Sequence, residues 1–163
     1  MKYLITGLES TCTRIVSKLI AYNIGLTKDP DDWDAYNDIF NDNHLVSHRS
    51  IPHGIENKYI DDEFLSMFDH IIVTTRDWNC SLLSKVENHQ HNIIEANNEH
   101  LTGIVIIKNI LKDYGNSFIF SAETAFVLQE SYTLPFLKNI GIKEPKHIFF
   151  ENPNRKYLKE LGI

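Results

Sequence analysis

The sequence predicts a three-layer α/β domain built on a mostly parallel central sheet. Three observations carry this expectation. Short apolar runs, "KYLIT" (2–6), "HIIVTTR" (70–76) and "SFIFS" (117–121), read as buried strands. Between them lie stretches whose apolar residues recur three and four positions apart, the spacing of a helix with one buried face. The 163 residues contain no internal repeat, low-complexity tract or linker, which fits a single domain (1–163) with one sizeable core. Strands that alternate with helices pair in parallel, and the helices cover both faces.

Each element follows in order. The run at 2–6 ends at Gly7, and Ile15, Val16, Leu19 and Ile20 then form one apolar helical face that Gly25 is placed to stop. "HLVSH" (44–48) is a short strand running into a turn with Pro52 and Gly54. "DDEFLSMF" (61–68) gives a turn or two of helix, with Asp61 as its cap. The β-branched run at 70–76 is the clearest strand. Residues 79–96 and 99–114 read as two helices split around "NNEH". The apolar stripe in "TGIVIIKNILKDYG" (102–115) is expected to pack on the sheet rather than on a membrane or partner. After the strand at 117–121 comes a helix over roughly 122–139, and "HIFF" (147–150) reads as a last strand before "NPNRKYLKELGI". Ligands of such sheets sit beyond the carboxyl ends of the strands. A site is therefore expected among residues 7–14, 47–54, 76–84 and 121–124.

Composition narrows the function. At 42% hydrophobic and 23% charged, the chain has the balance of a soluble globular protein. No apolar run approaches the roughly 18 residues of a membrane span. Met1-Lys2 leads straight into a strand-like run, so no signal peptide is expected. Cys12 and Cys80 make no disulfide framework, and a reducing cytoplasm is the expected compartment. The net charge of −6 is concentrated in residues 28–43, where six Asp and one Lys give −5. That balance argues against binding the nucleic-acid backbone, and the acidic stretch is expected to be a solvated loop or edge.

Two segments have the chemistry of an anion site. "TGLESTCTR" (6–14) stands where a strand feeds a helix, and the first amides of a helix have no intrahelical partners. Ser10, Thr11 and Thr13 add hydroxyl donors; the simpler alternative makes Ser10 or Thr11 an ordinary N-cap. A Walker A loop would need Gly at position 12, Lys at 13 and Ser or Thr at 14, where this chain has Cys12, Thr13 and Arg14. In "VTTRDWNCSLLS", Arg76 leaves the strand and Ser84 follows eight residues later on the next helix. A guanidinium fork and a hydroxyl can hold one phosphate from two sides. The simpler alternative bonds Arg76 to Asp77 or to nearby backbone and leaves Ser84 exposed.

Taken in order, "GLESTCTR", "SHRSIP" and "VTTRDWNCSLLS" resemble the sulfotransferases that use 3′-phosphoadenosine 5′-phosphosulfate (PAPS). "SFIFSAETAF" and "LPFLKNIGI" extend the resemblance over most of the chain. The resemblance implies a P-loop-type fold. It also implies that Ser10, Thr11, Cys12 and Thr13 hold the 5′-phosphosulfate, while Arg76 and Ser84 hold the 3′-phosphate. The acceptor would be a hydroxyl or amine on a small molecule or glycan, with no metal and no nucleic-acid partner. The chain departs from that pattern at Cys12, which stands in place of a glycine, and at Glu9, where many members carry a basic residue. Trp78 replaces the usual proline, and Arg14 would supply charge from the first helical turn.

Sulfuryl transfer to a hydroxyl needs a base, and an imidazole suits that task. "LVSHRSIPHG" (45–54) offers His48 and His53, with Arg49 to balance charge on the bridging oxygen. The resemblance favours His48, just after the second strand. Arg155 and Lys156 in "ENPNRKYL" (151–158) would close over the 3′-phosphate, or else form the polar face of a terminal helix. His89, His91 and His100 are not spaced as metal ligands, because positions i and i+2 of a helix point to different sides. Two other readings stay open: a P-loop nucleoside or nucleotide kinase, and a non-catalytic nucleotide-binding relative.

Overall fold

The computed structural model describes residues 1–29, 38–51 and 60–162. In chain order these form β1 (Lys2–Leu8), α1 (Thr13–Asn23), β2 (Asp38–Phe40), β3 (Leu45–Ile51), α2 (Asp62–Ser66) and β4 (His70–Thr75). They continue with α3 (Trp78–His89), α4 (Ile93–Asp113), β5 (Ser117–Ser121), α5 (Ala122–Leu128), α6 (Glu130–Asn139) and α7 (Arg155–Glu160). The sheet order is β2-β3-β1-β4-β5. β1 pairs in parallel with β3 (Tyr3 opposite Val46) and with β4 (Tyr3 opposite His70), and β5 continues in parallel on β4. Among the described strands only β2, at the edge beside β3, runs antiparallel.

The alternation of side chains along each strand creates two cores. Tyr3, Ile5, Val46, Ile72 and Phe120 face α1, α5 and α6, where Val16, Leu19, Phe126 and Leu137 meet them. Leu4, Leu8, Ile51, Ile71 and Val73 face the other way, onto Leu65 of α2 and Ile107 and Ile110 of α4. The expected three-layer arrangement is therefore present. Each fully buried Leu or Ile contributes about 1.5–3 kcal/mol. The stripe at 102–115 does pack on the sheet. At Gly103, an added Cβ would come within 2.5 Å of Leu8 Cδ2 and 3.1 Å of the Ile51 carbonyl oxygen. No helix among the described residues is long and apolar enough to cross a membrane.

Several elements differ from expectation. The break between α3 and α4 falls at residues 90–92, not at "NNEH" (97–100). Gln90 turns left-handed at φ 58°, and Asn92 with Glu95 forms a capping box that starts α4. The helix expected over 122–139 is two helices, interrupted at Gln129 (φ 46°, ψ −120°). The side chain of Gln129 explains the next difference. It donates to the Phe150 carbonyl at 3.0 Å and accepts from the Phe150 amide at 3.1 Å. "HIFF" is thus not a strand, because a side-chain amide satisfies its backbone where a neighbouring strand would have. Asp61 does cap α2, accepting from the Phe64 amide at 2.8 Å. Within the acidic stretch, residues 38–40 are an edge strand. The turn expected at Pro52 and Gly54, with His53 between them, lies outside the described residues.

Candidate anion site at the ends of β1 and β4

The chain leaves β1 on one side, through α1 to β3, and returns across it to β4 on the other. The strand order therefore reverses between β1 and β4, the place where open α/β sheets bind ligands. Two predicted loops leave the sheet at that point, residues 9–12 after β1 and Arg76 after β4.

The first loop is held tightly. The Thr11 amide donates to the Leu8 carbonyl at 3.2 Å. The Thr11 hydroxyl donates to the same carbonyl at 2.6 Å and lies 2.8 Å from Thr74 Oγ1. Gly7 makes room for this closure, since a Cβ there would sit 2.5 Å from Thr74 Oγ1 and 2.7 Å from Thr11 Oγ1. Ser10 and Cys12 both adopt left-handed backbone (φ 66° and 68°), a conformation that glycine enters without cost. Cys12 is the N-cap of α1 and makes no side-chain capping bond. Ser10 and Thr11 are accordingly not the cap, and no side chain of the loop covers the first-turn amides. Burial pushes the Cys12 thiol up to about 11 despite the nearby Arg76 guanidinium, so the sulfur stays protonated.

Arg76 meets this loop. Its Nη1 donates to the Ser10 carbonyl at 2.9 Å and its Nε donates to Asn154 Oδ1 at 2.6 Å. Nη2 is buried without a hydrogen-bond partner among the described residues, and the guanidinium carbon lies 5.4 Å from the ring centre of Tyr157. Behind it, Glu123 accepts from Asn154 Nδ2 at 2.9 Å and from the Asp77 amide at 2.8 Å. Asp77 instead caps α3, accepting from the Cys80 amide at 2.9 Å.

On the opposite flank, His48 Nε2 lies 2.7 Å from Thr13 Oγ1, which joins the middle of β3 to the first residue of α1, so His48 lies within the strand rather than just after it. Arg49 is the next residue of the strand and points to the other face. It donates to Asp38 at 2.8 Å and lies over the Phe64 ring at 5.7 Å, so it is not brought to the loop. Arg14 is exposed on the first turn of α1. Ser84 is buried, and its hydroxyl accepts from Asn88 Nδ2 at 3.1 Å. Arg155 is exposed at the start of α7, and Lys156 pairs with Glu87 of α3 at 2.5 Å.

Sequence reasoning missed Lys85, Glu123 and Asn154. Lys85 is fully buried on α3, bonded to Glu9 Oε2 of the loop at 2.8 Å and to Glu99 of α4. The signal was available, because an acidic residue inside an anion turn needs a cation somewhere. The "ENPNRKYL" segment does approach Arg76, through Asn154 and Tyr157 rather than its basic residues. His100 is a core residue, with Nδ1 bonded to the Ala96 carbonyl at 3.0 Å and Nε2 3.0 Å from Ser81 Oγ.

Comparison with protein-family models, curated proteins and solved structures finds no match to this chain.

Proposed function

We propose that the chain is a P-loop-type sulfotransferase domain, drawing on PAPS and passing a sulfuryl group to a hydroxyl or amine acceptor. The observation that carries this reading is the bond from Arg76 Nη1 to the Ser10 carbonyl. It joins the two loops that the resemblance assigns to opposite ends of one doubly phosphorylated adenosine. Two further features suit an oxyanion: α1 begins without a side-chain cap from Cys12, and Arg76 Nη2 is buried without a partner among the described residues. The donor would supply the activated sulfuryl group. The first-turn amides of α1 would orient its sulfonate end, and Arg76 with Ser84 would bind the 3′-phosphate. His48 would take the acceptor's proton, the incoming hydroxyl replacing that of Thr13 at Nε2.

The test is ligand-dependent thermal stability followed by transfer. Adenosine 3′,5′-bisphosphate at a hundredfold excess over its Kd should raise Tm by about 5–10 °C. Arg76→Ala should erase that shift, and ATP with Mg²⁺ should give less. Labelled sulfate should pass from PAPS to an acceptor, with His48→Ala slowing transfer by roughly 10²–10⁴-fold.

A second reading, a nucleotide-binding relative without transfer activity, is favoured by one feature. Two of the guanidinium nitrogens of Arg76 already serve Ser10 and Asn154. It predicts the same shift with the bisphosphate and no transfer to any acceptor.

A further inference from the structure

We infer that Lys85 is the counter-ion of the turn at residues 9–12, and that an incoming oxyanion displaces the Glu9 carboxylate to reach it. The inference rests on the reading of that turn as an anion cradle.

Lys85 is an unusual residue to bury. Its side chain has no exposed surface, although an ammonium loses its hydration when enclosed and persists there only with charged partners. It has two: Glu99, from α4, and Glu9, from the turn itself at 2.8 Å. Both carboxylates remain about a quarter exposed, at 24% and 26%, so the ammonium lies beneath them. Charge balance requires only one. Glu99 also has His91 Nδ1 at 3.5 Å and belongs to a 21-residue helix packed on the sheet. Glu9 stands in the turn itself, directly before left-handed Ser10, and is therefore the carboxylate that a ligand on the turn would meet.

The geometry gives Glu9 the position of an internal substitute for ligand. The turn lacks the lysine that a Walker A loop carries, with Thr13 in its place. Lys85 reaches the same turn from α3, two helical turns beyond Arg76. A carboxylate beside a bound phosphosulfate would repel it, so binding and release of Glu9 are coupled in one exchange. Glu9 goes to water, and the oxyanion takes over the ammonium. The ligand class is a sulfate, phosphate or phosphosulfate group on the loop.

The test is isothermal titration of the full chain with inorganic pyrophosphate and, separately, with adenosine 3′,5′-bisphosphate. Glu9→Gln removes the competitor and should tighten pyrophosphate binding at least fivefold. The double variant Glu9→Gln with Lys85→Met removes the ammonium as well and should bind about tenfold more weakly than Glu9→Gln alone, as expected for loss of a charge-assisted bond. Equal binding by those two variants overturns the inference. So does an unchanged or lowered affinity in Glu9→Gln, a result that stands even if the double variant fails to fold. Pyrophosphate binding that depends on Lys85, with no binding of the bisphosphate, supports the inference and removes the sulfotransferase reading.

Discussion

Asn154 holds Arg76 in place from the side away from the loop, accepting from Nε at 2.6 Å while donating to Glu123 at 2.9 Å. Asn154 is itself buried, so the pair forms a polar link between the end of β4 and the start of α7. Asn154→Ala leaves a guanidinium nitrogen and a carboxylate short of one partner each. The expected cost is about 1.5–3 kcal/mol, a fall in Tm of roughly 3–10 °C. Thermal denaturation without ligand measures it; an unchanged Tm would mean the link is not formed in solution.

Cys12 occupies a backbone conformation that favours glycine, with φ 68°. Cys12→Gly should therefore be tolerated, shifting stability by less than about 1 kcal/mol because relief of the left-handed strain offsets the lost sulfur packing. Cys12→Val, β-branched at the same φ, should lose about 2 kcal/mol or more. Urea denaturation of the three proteins gives the order directly.

The thiol of Cys12 offers an independent check. Burial pushes it up to about 11, so at pH 8 almost none is thiolate. Alkylation by iodoacetamide should be far slower than for a free cysteine and should accelerate on unfolding. Rapid native-state labelling at this position would contradict the closed loop.

Stability should decline in mild acid. Burial, and next the Lys85 ammonium, hold His100 below the ordinary imidazole value of 6.5. Burial likewise lowers His70, whose ring stacks on Tyr3 at 5.2 Å. Unfolding restores the ordinary value, so below 6.5 the unfolded chain binds more protons than the folded one. The contribution is complete above 6.5 and is lost as pH falls from there toward the folded values. Tm should drop between about pH 7.5 and about pH 5.5, and His100→Gln should flatten that slope. Parallel melts of both proteins across the interval decide it.

Gly7 admits no side chain. Its missing Cβ would sit 2.6 Å from the Thr74 carbonyl oxygen, a backbone atom that cannot swing aside. Gly7→Ala should cost on the order of 2–4 kcal/mol and open the turn at residues 9–12. Denaturant titration reads the first effect, and loss of any bisphosphate-induced shift reads the second.

Much of this architecture was legible in the residues. The runs at 2–6 and 70–76 became strands because burial on both faces leaves such sequences few other places, whereas 117–121 became an edge strand with Phe120 buried and Ile119 exposed. The meeting of residues 9–12 with Arg76 followed from two loops leaving neighbouring strand ends. What escaped were features decided by a single distant partner. Lys85 reads as a solvent-facing helical lysine until Glu9 and Glu99 are folded against it. Gln129 reads as a helical residue until the backbone of Phe150 arrives to be bonded. Arg49 follows His48 in sequence, yet strand alternation sends the two to opposite faces, and only the face of His48 meets Thr13.

The position of β1 has a consequence for how the chain is made. It precedes the other described strands in the chain and is the central one of the sheet, and its partners begin at Leu45 and His70. A nascent chain therefore carries an apolar segment with both hydrogen-bonding edges open until residues 45–51 follow, and with one edge still open until residues 70–75 follow. Local pairing cannot shield it, and such non-local sheets form slowly and are prone to aggregation on the way. Chaperone dependence during synthesis, rather than any weakness of the finished domain, is where this topology should tell on yield.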